Sequence, residues 1–193
     1  MTGRADKSIV VPAEAIARLK DGNSRYTIER PAELAKGQHP FAIVVSCSDS
    51  RVSPEIVFDQ ALGDLFICRV AGNVINDESL GSIEYAVDEL GVRLIVVLGH
   101  QGCGAVQTAK ETIAAKGKAA GHIQSLVTAI KPAVEATAKD DLDATIKANV
   151  KHVVGALRSA TPILKPKVDS DEIKVVGATY SLDTGFVSFL DEK

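Results

Sequence analysis

FAIVVSCSDSRV (41–52) and RLIVVLGHQGCGAV (93–106) decide the fold. Each is an apolar, β-branched run that switches abruptly to small and polar residues. Such runs read as buried parallel strands, and the switch places SCSDSRV (46–52) and LGHQGCGAV (98–106) just past two strand carboxyl ends. Open α/β sheets bind ligands in the crevice at that edge. The two stretches hold Cys47 and Cys103, His100, and the pair Asp49 and Arg51. Their shared address argues for a single site.

Outward from these stretches, strand and helix patterns alternate. PEIVFDQALG follows the first, then DLFICRVAG (64–72) reads as a second strand. DESLGSIEYAVDELG (77–91) is an amphipathic helix, with Ile83, Ala86, Val87 and Leu90 on one stripe and Gly91 closing it. After the second stretch come AVQTAKETIAAKG and GHIQSLVTAI as helices, with Pro132 expected to kink or split the helical segment that contains it. LDATIKANVKHVVGALRSA repeats the stripe through Leu142, Ile146, Val150, Val153 and Leu157. EIKVVGATY (172–180) reads as a fourth strand, and GFVSFL as an antiparallel edge strand after a turn at Asp183-Thr184-Gly185. Residues 1–40 read as an arm. Pro12 starts a helix carrying Ile16 and Leu19, and Pro31 starts a shorter one in PAELAKG. So narrow an apolar stripe needs a surface to lie on, from this subunit or another. The expected architecture is one domain over 1–193: an arm (1–40) and an α/β core (41–193) with a mostly parallel sheet, an antiparallel edge strand and flanking helices.

Composition sets limits. The chain has 193 residues, 46% hydrophobic and 24% charged, enough for one domain with a substantial core. A net charge of −3 without a basic cluster argues against nucleic acid or an anionic membrane surface as partner. No apolar run approaches the ~20 residues that span a bilayer. MTGRADKSIVV carries no signal-peptide core, so the chain as written reads as soluble and cytoplasmic. A periplasmic protein whose signal peptide had been removed would read the same. Three cysteines are an odd count and too few for a disulfide framework.

In an extended segment Cys47, Asp49 and Arg51 share one face. His100 and Cys103 stand i, i+3 across a glycine-rich turn, and Cys103 lies near a helix start that favours thiolate. Two sulfurs and an imidazole suit zinc and leave a fourth tetrahedral position open for chemistry. Zinc brings the pKa of bound water to about 7. Asp49 either orients that water or ligates the metal itself, and Arg51 can hold it away from the metal by a bidentate pair. The plain alternatives are a surface ion pair beside a buried cysteine and an incidental HxxC turn; the pairing of both motifs at strand ends outweighs them. Cys68 reads as a core residue and His39, His122 and His152 as ordinary. Neither GxGxxG nor GxxxxGK[ST] is present, so a phosphate loop is not expected.

CSDSRV followed by GHQGCGAV resembles the β-class carbonic anhydrases, and the resemblance continues through DLFICRVAGN (64–73) and SIEYAV (82–87), covering residues 36–110. It implies zinc on Cys47, His100 and Cys103, with Asp49 and Arg51 as the catalytic dyad. The implied reaction is reversible hydration of carbon dioxide to bicarbonate and a proton by zinc-bound hydroxide. It further implies Gln38 and Tyr85 as substrate-pocket residues donated by a neighbouring subunit, and a homodimer or dimer-of-dimers tetramer with the arm laid over its partner. Bicarbonate-inhibited members carry Trp where this chain has Val44, so the resemblance favours the plant-like open site, with Asp49 on Arg51. Where plant-like members place a pocket phenylalanine, the chain offers Gln60. The competing readings are hydrolysis of carbonyl sulfide or carbon disulfide on the same site, and a non-catalytic zinc or redox-sensing module, which would have no need of Asp49 and Arg51.

Overall fold

The computed structural model describes residues 12–24 and 32–190. Two compact units separate at Gly37–Gln38. In the first, helix α1 (Pro12–Ser24) opens on its proline as expected, and it buries none of its residues. Ile16 and Leu19 are 53% and 75% exposed, so its stripe is still uncovered. A short 3-10 turn spans Ala32–Ala35, while Pro31 lies outside the described residues.

The second unit is built on a five-stranded sheet. Its strands are β1 (Ala42–Ser46), β2 (Leu65–Arg69), β3 (Leu94–His100), β4 (Lys174–Tyr180) and β5 (Val187–Phe189), in the order β2-β1-β3-β4-β5. The first four are mutually parallel and β5 is antiparallel to β4, as the sequence led us to expect. Every residue of β1 is buried, which is why its sequence shows no polar alternation. From β1 the chain passes through helix α2 (Pro54–Val57) to β2 on one side. It then returns through helix α3 (Asp77–Asp88) to β3 on the other side. The direction of winding therefore reverses between β1 and β3, and this switch point is where open sheets leave a crevice.

Helix α3 starts where side chains satisfy free N–H groups. Asn76 and Ser79 form a reciprocal cap on α3, with Ser79 N–H donating to Asn76 Oδ1 at 2.9 Å and Asn76 N–H to Ser79 Oγ at 2.8 Å. The next turns bury Ile83, Ala86 and Val87 against one sheet face, which holds Ile43, Val45, Ile95 and Val97. Helix α4 (Gly104–Ala114) follows β3, and helix α5 (Ile123–Ala136) follows α4. Contrary to expectation, α5 runs through Pro132 unbroken. Buried Ile130 before the proline and Ala133 and Val134 after it pin both turns to the core, outweighing the one lost hydrogen bond. Helix α6 (Leu142–Ser159) is capped by Asp141 and buries the predicted Ile146, Val150, Val153 and Leu157, with Leu142 partly buried. A last helix, α7 (Leu164–Asp169), precedes β4.

β3 and β4 each carry a glycine beneath α6, leaving no room there for a side chain. A Cβ on Gly99 would fall 2.6 Å from Val150 Cγ2, and one on Gly177 would fall 2.8 Å from Val150 Cγ1. Val150 is thus seated in a two-glycine slot, one residue before His100. Gly99→Ala is expected to destabilise the protein by about 1–3 kcal/mol through overpacking, read from urea unfolding. Adding Val150→Ala should recover part of that loss. Strictly additive losses would show that the slot is not what fixes α6.

Candidate metal centre

Cys47 is the first residue after β1, His100 the last of β3, and Cys103 the residue that caps α4. Because β1 and β3 are neighbours, with Ser46 opposite Leu98, their carboxyl ends deliver the three side chains to one point. One ligand atom from each lies within 4.8 Å of the others, and the residues are 4%, 0% and 1% exposed. The two Sγ atoms are 3.9 Å apart, far beyond the roughly 2.05 Å of a disulfide. Two thiolates on one tetrahedral zinc, each about 2.3 Å from it, stand about 3.8 Å apart.

The histidine is oriented for the same task. Its Nδ1 lies 2.9 Å from the Gln101 carbonyl oxygen. A carbonyl can only accept, so Nδ1 carries the proton and Nε2 presents a lone pair. Nε2 is buried without a hydrogen-bond partner. An orphaned imidazole nitrogen facing two sulfurs is what a soft-to-borderline metal with nitrogen and sulfur ligands fits.

The expectation that alternation along an extended strand aligns Cys47, Asp49 and Arg51 needs correction. The chain leaves β1 at Ser46 and turns, with Val52 N–H donating to the Asp49 carbonyl at 3.0 Å. The turn itself joins the pair. Arg51 Nε and Nη2 donate to Asp49 Oδ1 and Oδ2 at 2.9 and 2.7 Å, and the Arg51 backbone N–H adds a bond to Oδ1 at 3.0 Å. Asp49 Oδ2 stays 3.9 Å from His100 Nε2, so the carboxylate borders the cluster while engaged with the guanidinium.

Three residues that sequence reasoning did not single out hold this loop. Arg69, at the end of β2, donates from Nε to the Cys47 carbonyl at 2.9 Å and from Nη2 to the Asp49 carbonyl at 2.6 Å. Gly72 donates its N–H to Cys47 Sγ at 3.2 Å. Its φ of +72° and the 2.8 Å approach its Cβ would make to Ile130 Cδ1 require glycine. Asn149 on α6, wholly buried, donates to the Gly72 carbonyl at 2.8 Å. Arg69 was legible as a cation at a strand end; the other two depend on tertiary contact.

The electrostatics favour a bound cation. The Cys47 thiol is pushed well below its ordinary value by the hydrogen bond from Cys103, assisted by His100 and the Gly72 N–H against the opposing effect of burial. Cys103 is pushed up, first by its bond to Cys47 and then by burial. Backbone N–H groups of Ala105 and Val106 at the start of α4 act in the opposite sense, favouring the Cys103 thiolate. Burial would push His100 down, yet the neighbouring Cys47 sulfur, the Gln101 carbonyl and the charge on Asp49 together carry it upward. Hydrogen bonds from Arg51 hold the Asp49 carboxyl far below the usual carboxylate range, so it remains an anion.

Other candidates lie elsewhere. Cys68 is buried in the core, as expected. Gln38 is exposed ahead of the amino end of β1, the edge opposite the cluster, and Tyr85 on α3 is half exposed; neither bonds to the five cluster residues. Gln60 lines an apolar cavity of about 230 Å³ with Phe41, Val44, Phe58 and Phe189, and its amide turns back to the Phe58 carbonyl at 2.6 Å.

Comparison with known proteins agrees with this geometry. Residues 42–187 match the family model described as carbonic anhydrase. Carbonic anhydrase 2 of Mycobacterium tuberculosis is 40% identical over 187 residues, covering 90% of each chain. Among solved structures, the β-carbonic anhydrase CafA of Aspergillus fumigatus superposes with a TM-score of 0.75 at 29% identity, over 93% of this chain and 90% of that one. One of two tetrameric β-carbonic anhydrases from Sordaria macrospora shares the fold, with a TM-score of 0.74 at 23% identity over 93% of both chains. By its sequence, its fold and the donor set at its switch point, the chain belongs to the β-class carbonic anhydrase family.

Proposed function

We propose that this protein catalyses the reversible hydration of carbon dioxide to bicarbonate and a proton, with zinc held by Cys47, His100 and Cys103. The observation that carries the reading is the buried, unpartnered His100 Nε2 facing two sulfurs, bordered by a carboxylate already engaged by arginine. The chemistry zinc supplies when bound is Lewis acidity sufficient to bring the pKa of water to about 7. In this reading Asp49 Oδ2 accepts a hydrogen bond from the attacking water or hydroxide oxygen and turns its lone pair toward the carbon. Arg51 keeps Asp49 ionised and off the metal. The Gly72 N–H stabilises the Cys47 thiolate, and the Gln101 carbonyl fixes the histidine tautomer. Relatives as similar as 40% over 90% of the chain are named carbonic anhydrases, so sulfur analogues of carbon dioxide and a sensor role are not favoured.

The bidentate Asp49–Arg51 pair supports the plant-like open form. So does Val44, which lines a cavity where the inhibited members carry Trp. In the same reading the protein is a dimer, or a pair of dimers, in which the neighbouring subunit lends Gln38 and Tyr85 to the substrate pocket and the arm lies over its partner. Exposed Phe41, Ile56, Leu62 and Phe186, and Ile16 and Leu19 on α1, supply apolar surface for such contacts. The Sordaria relative's tetramer is a precedent for the larger assembly. Among the described residues no helix is long and apolar enough to cross a membrane.

Stopped-flow hydration assays with a pH indicator, on protein of measured zinc content, test the reading. One zinc per chain and fast turnover at neutral pH are expected. Zinc without turnover at any pH would overturn the assigned reaction, and turnover confined to alkaline medium would mean that Asp49 closes on the metal. Asp49→Ala should keep zinc and the fold while losing about 10²-fold or more in rate; retained activity removes Asp49 from its role. Cys103→Ser should lose zinc and activity together, as measured by metal analysis.

A further inference from the structure

His100 depends on Gln101 twice over. The Gln101 carbonyl accepts from Nδ1 and sets the tautomer, yet the next residue, Gly102 at φ +63°, has no side chain with which to anchor the peptide between them. A carbonyl flanked by such a glycine needs something else to fix its direction.

The β4–β5 turn supplies it. Gln101 Nε2 donates to Asp183 Oδ2 at 2.7 Å. Gln101 Oε1 accepts from Ser181 Oγ at 3.2 Å and from the Asp183 N–H at 3.3 Å. The Gln101 backbone N–H donates to the carbonyl of Tyr180, the last residue of β4, at 2.9 Å. Both functional groups of the side chain and the backbone N–H are therefore tied to one short segment, remote in sequence. That segment is itself closed, with Gly185 N–H donating to the Ser181 carbonyl at 2.9 Å and Ser181 N–H to the Phe186 carbonyl at 2.9 Å. The link from Gln101 to Asp183 is exposed, so it adds little to the core, and its placement matters chiefly for what Gln101 does next.

We propose that Gln101 and Asp183 form a clamp that positions the zinc ligand His100: the turn between β4 and β5 holds the Gln101 side chain, and so aims the carbonyl that keeps Nε2 free for the metal. This inference rests on the assignment of zinc to Cys47, His100 and Cys103. Neither residue touches substrate; both are positioning residues. Supporting groups one step behind a metal ligand commonly change metal affinity by about 10–100-fold.

The test compares wild type, Gln101→Ala, Asp183→Ala, Asp183→Asn and the double alanine variant. Zinc affinity is measured by competition with a chromophoric chelator, and the His100 tautomer by nitrogen-15 NMR of the ring. Urea midpoints report folding. Each alanine variant is expected to bind zinc about tenfold more weakly and to lose the single Nδ1–H tautomer in the zinc-free protein, with little change in urea midpoint. Asp183→Asn keeps an oxygen facing Gln101 and should restore both readouts. The double variant should be no worse than either single one, because both break one chain of contacts. Unchanged affinity and tautomer in the alanine variants, or losses that track the urea midpoint and are not rescued by Asn, would overturn the clamp. A wild-type protein that binds no zinc overturns the zinc reading and the clamp together, whereas zinc-binding wild type with unchanged variants removes only the clamp.

Discussion

Everything in this protein depends on two parallel strands being neighbours while the chain leaves them in opposite directions. β1 and β3 lie side by side, so Cys47 and His100 emerge at the same edge, and α4 begins where Cys103 can complete the set. A different strand order would leave the same residues scattered along that edge. With it, the fold creates a buried point where two sulfurs and one nitrogen converge and where an uncompensated donor set is expensive to keep dry. The orphaned imidazole nitrogen is the physical mark of that cost.

The surrounding protein is arranged to keep the donors in register. Val150 in the slot between Gly99 and Gly177 seats α6 close to β3, one residue from His100. Asn149, next to it on α6, holds the Gly72 carbonyl, and the Gly72 N–H points at the Cys47 sulfur. Helix packing is thereby coupled to the charge on a metal ligand. Arg69 ties the loop between Cys47 and Asp49 to the adjacent strand, so that Arg51 is left to engage the carboxylate alone. Two arginines divide the work: one fixes backbone, the other fixes charge.

The strands and the grouping of Cys47, His100 and Cys103 were legible in the sequence because their signals are local. A fully apolar run ending in small residues, twice, announces two parallel strand ends, and Cys, His and Cys at those ends announce a metal. The stripes of α3 and α6 were legible for the same reason, as their periodicity is strong. What could not be read locally depends on tertiary contact. Nothing near Pro132 shows that burial on both sides carries α5 through it, and nothing in TPILKPKVDS announces a helix that opens on wholly buried Leu164. The strand-like alternation of Cys47, Asp49 and Arg51 gave the right neighbours through the wrong geometry, since a turn brings Asp49 and Arg51 together. Asn149 and Gly72 contribute through contacts 77 and 25 residues apart in sequence. Cys103 does stand at the start of α4, where the Ala105 and Val106 N–H groups favour its thiolate, but no local signal shows that a second sulfur lies 3.9 Å away.

The most direct test of the metal centre is X-ray absorption at the zinc edge on purified protein as isolated. The arrangement of Cys47, His100 and Cys103 predicts two sulfur scatterers at about 2.3 Å and light scatterers at about 2.0–2.1 Å, one with the outer-shell pattern of imidazole. Absence of zinc, a sulfur count other than two, or no imidazole signature would contradict it.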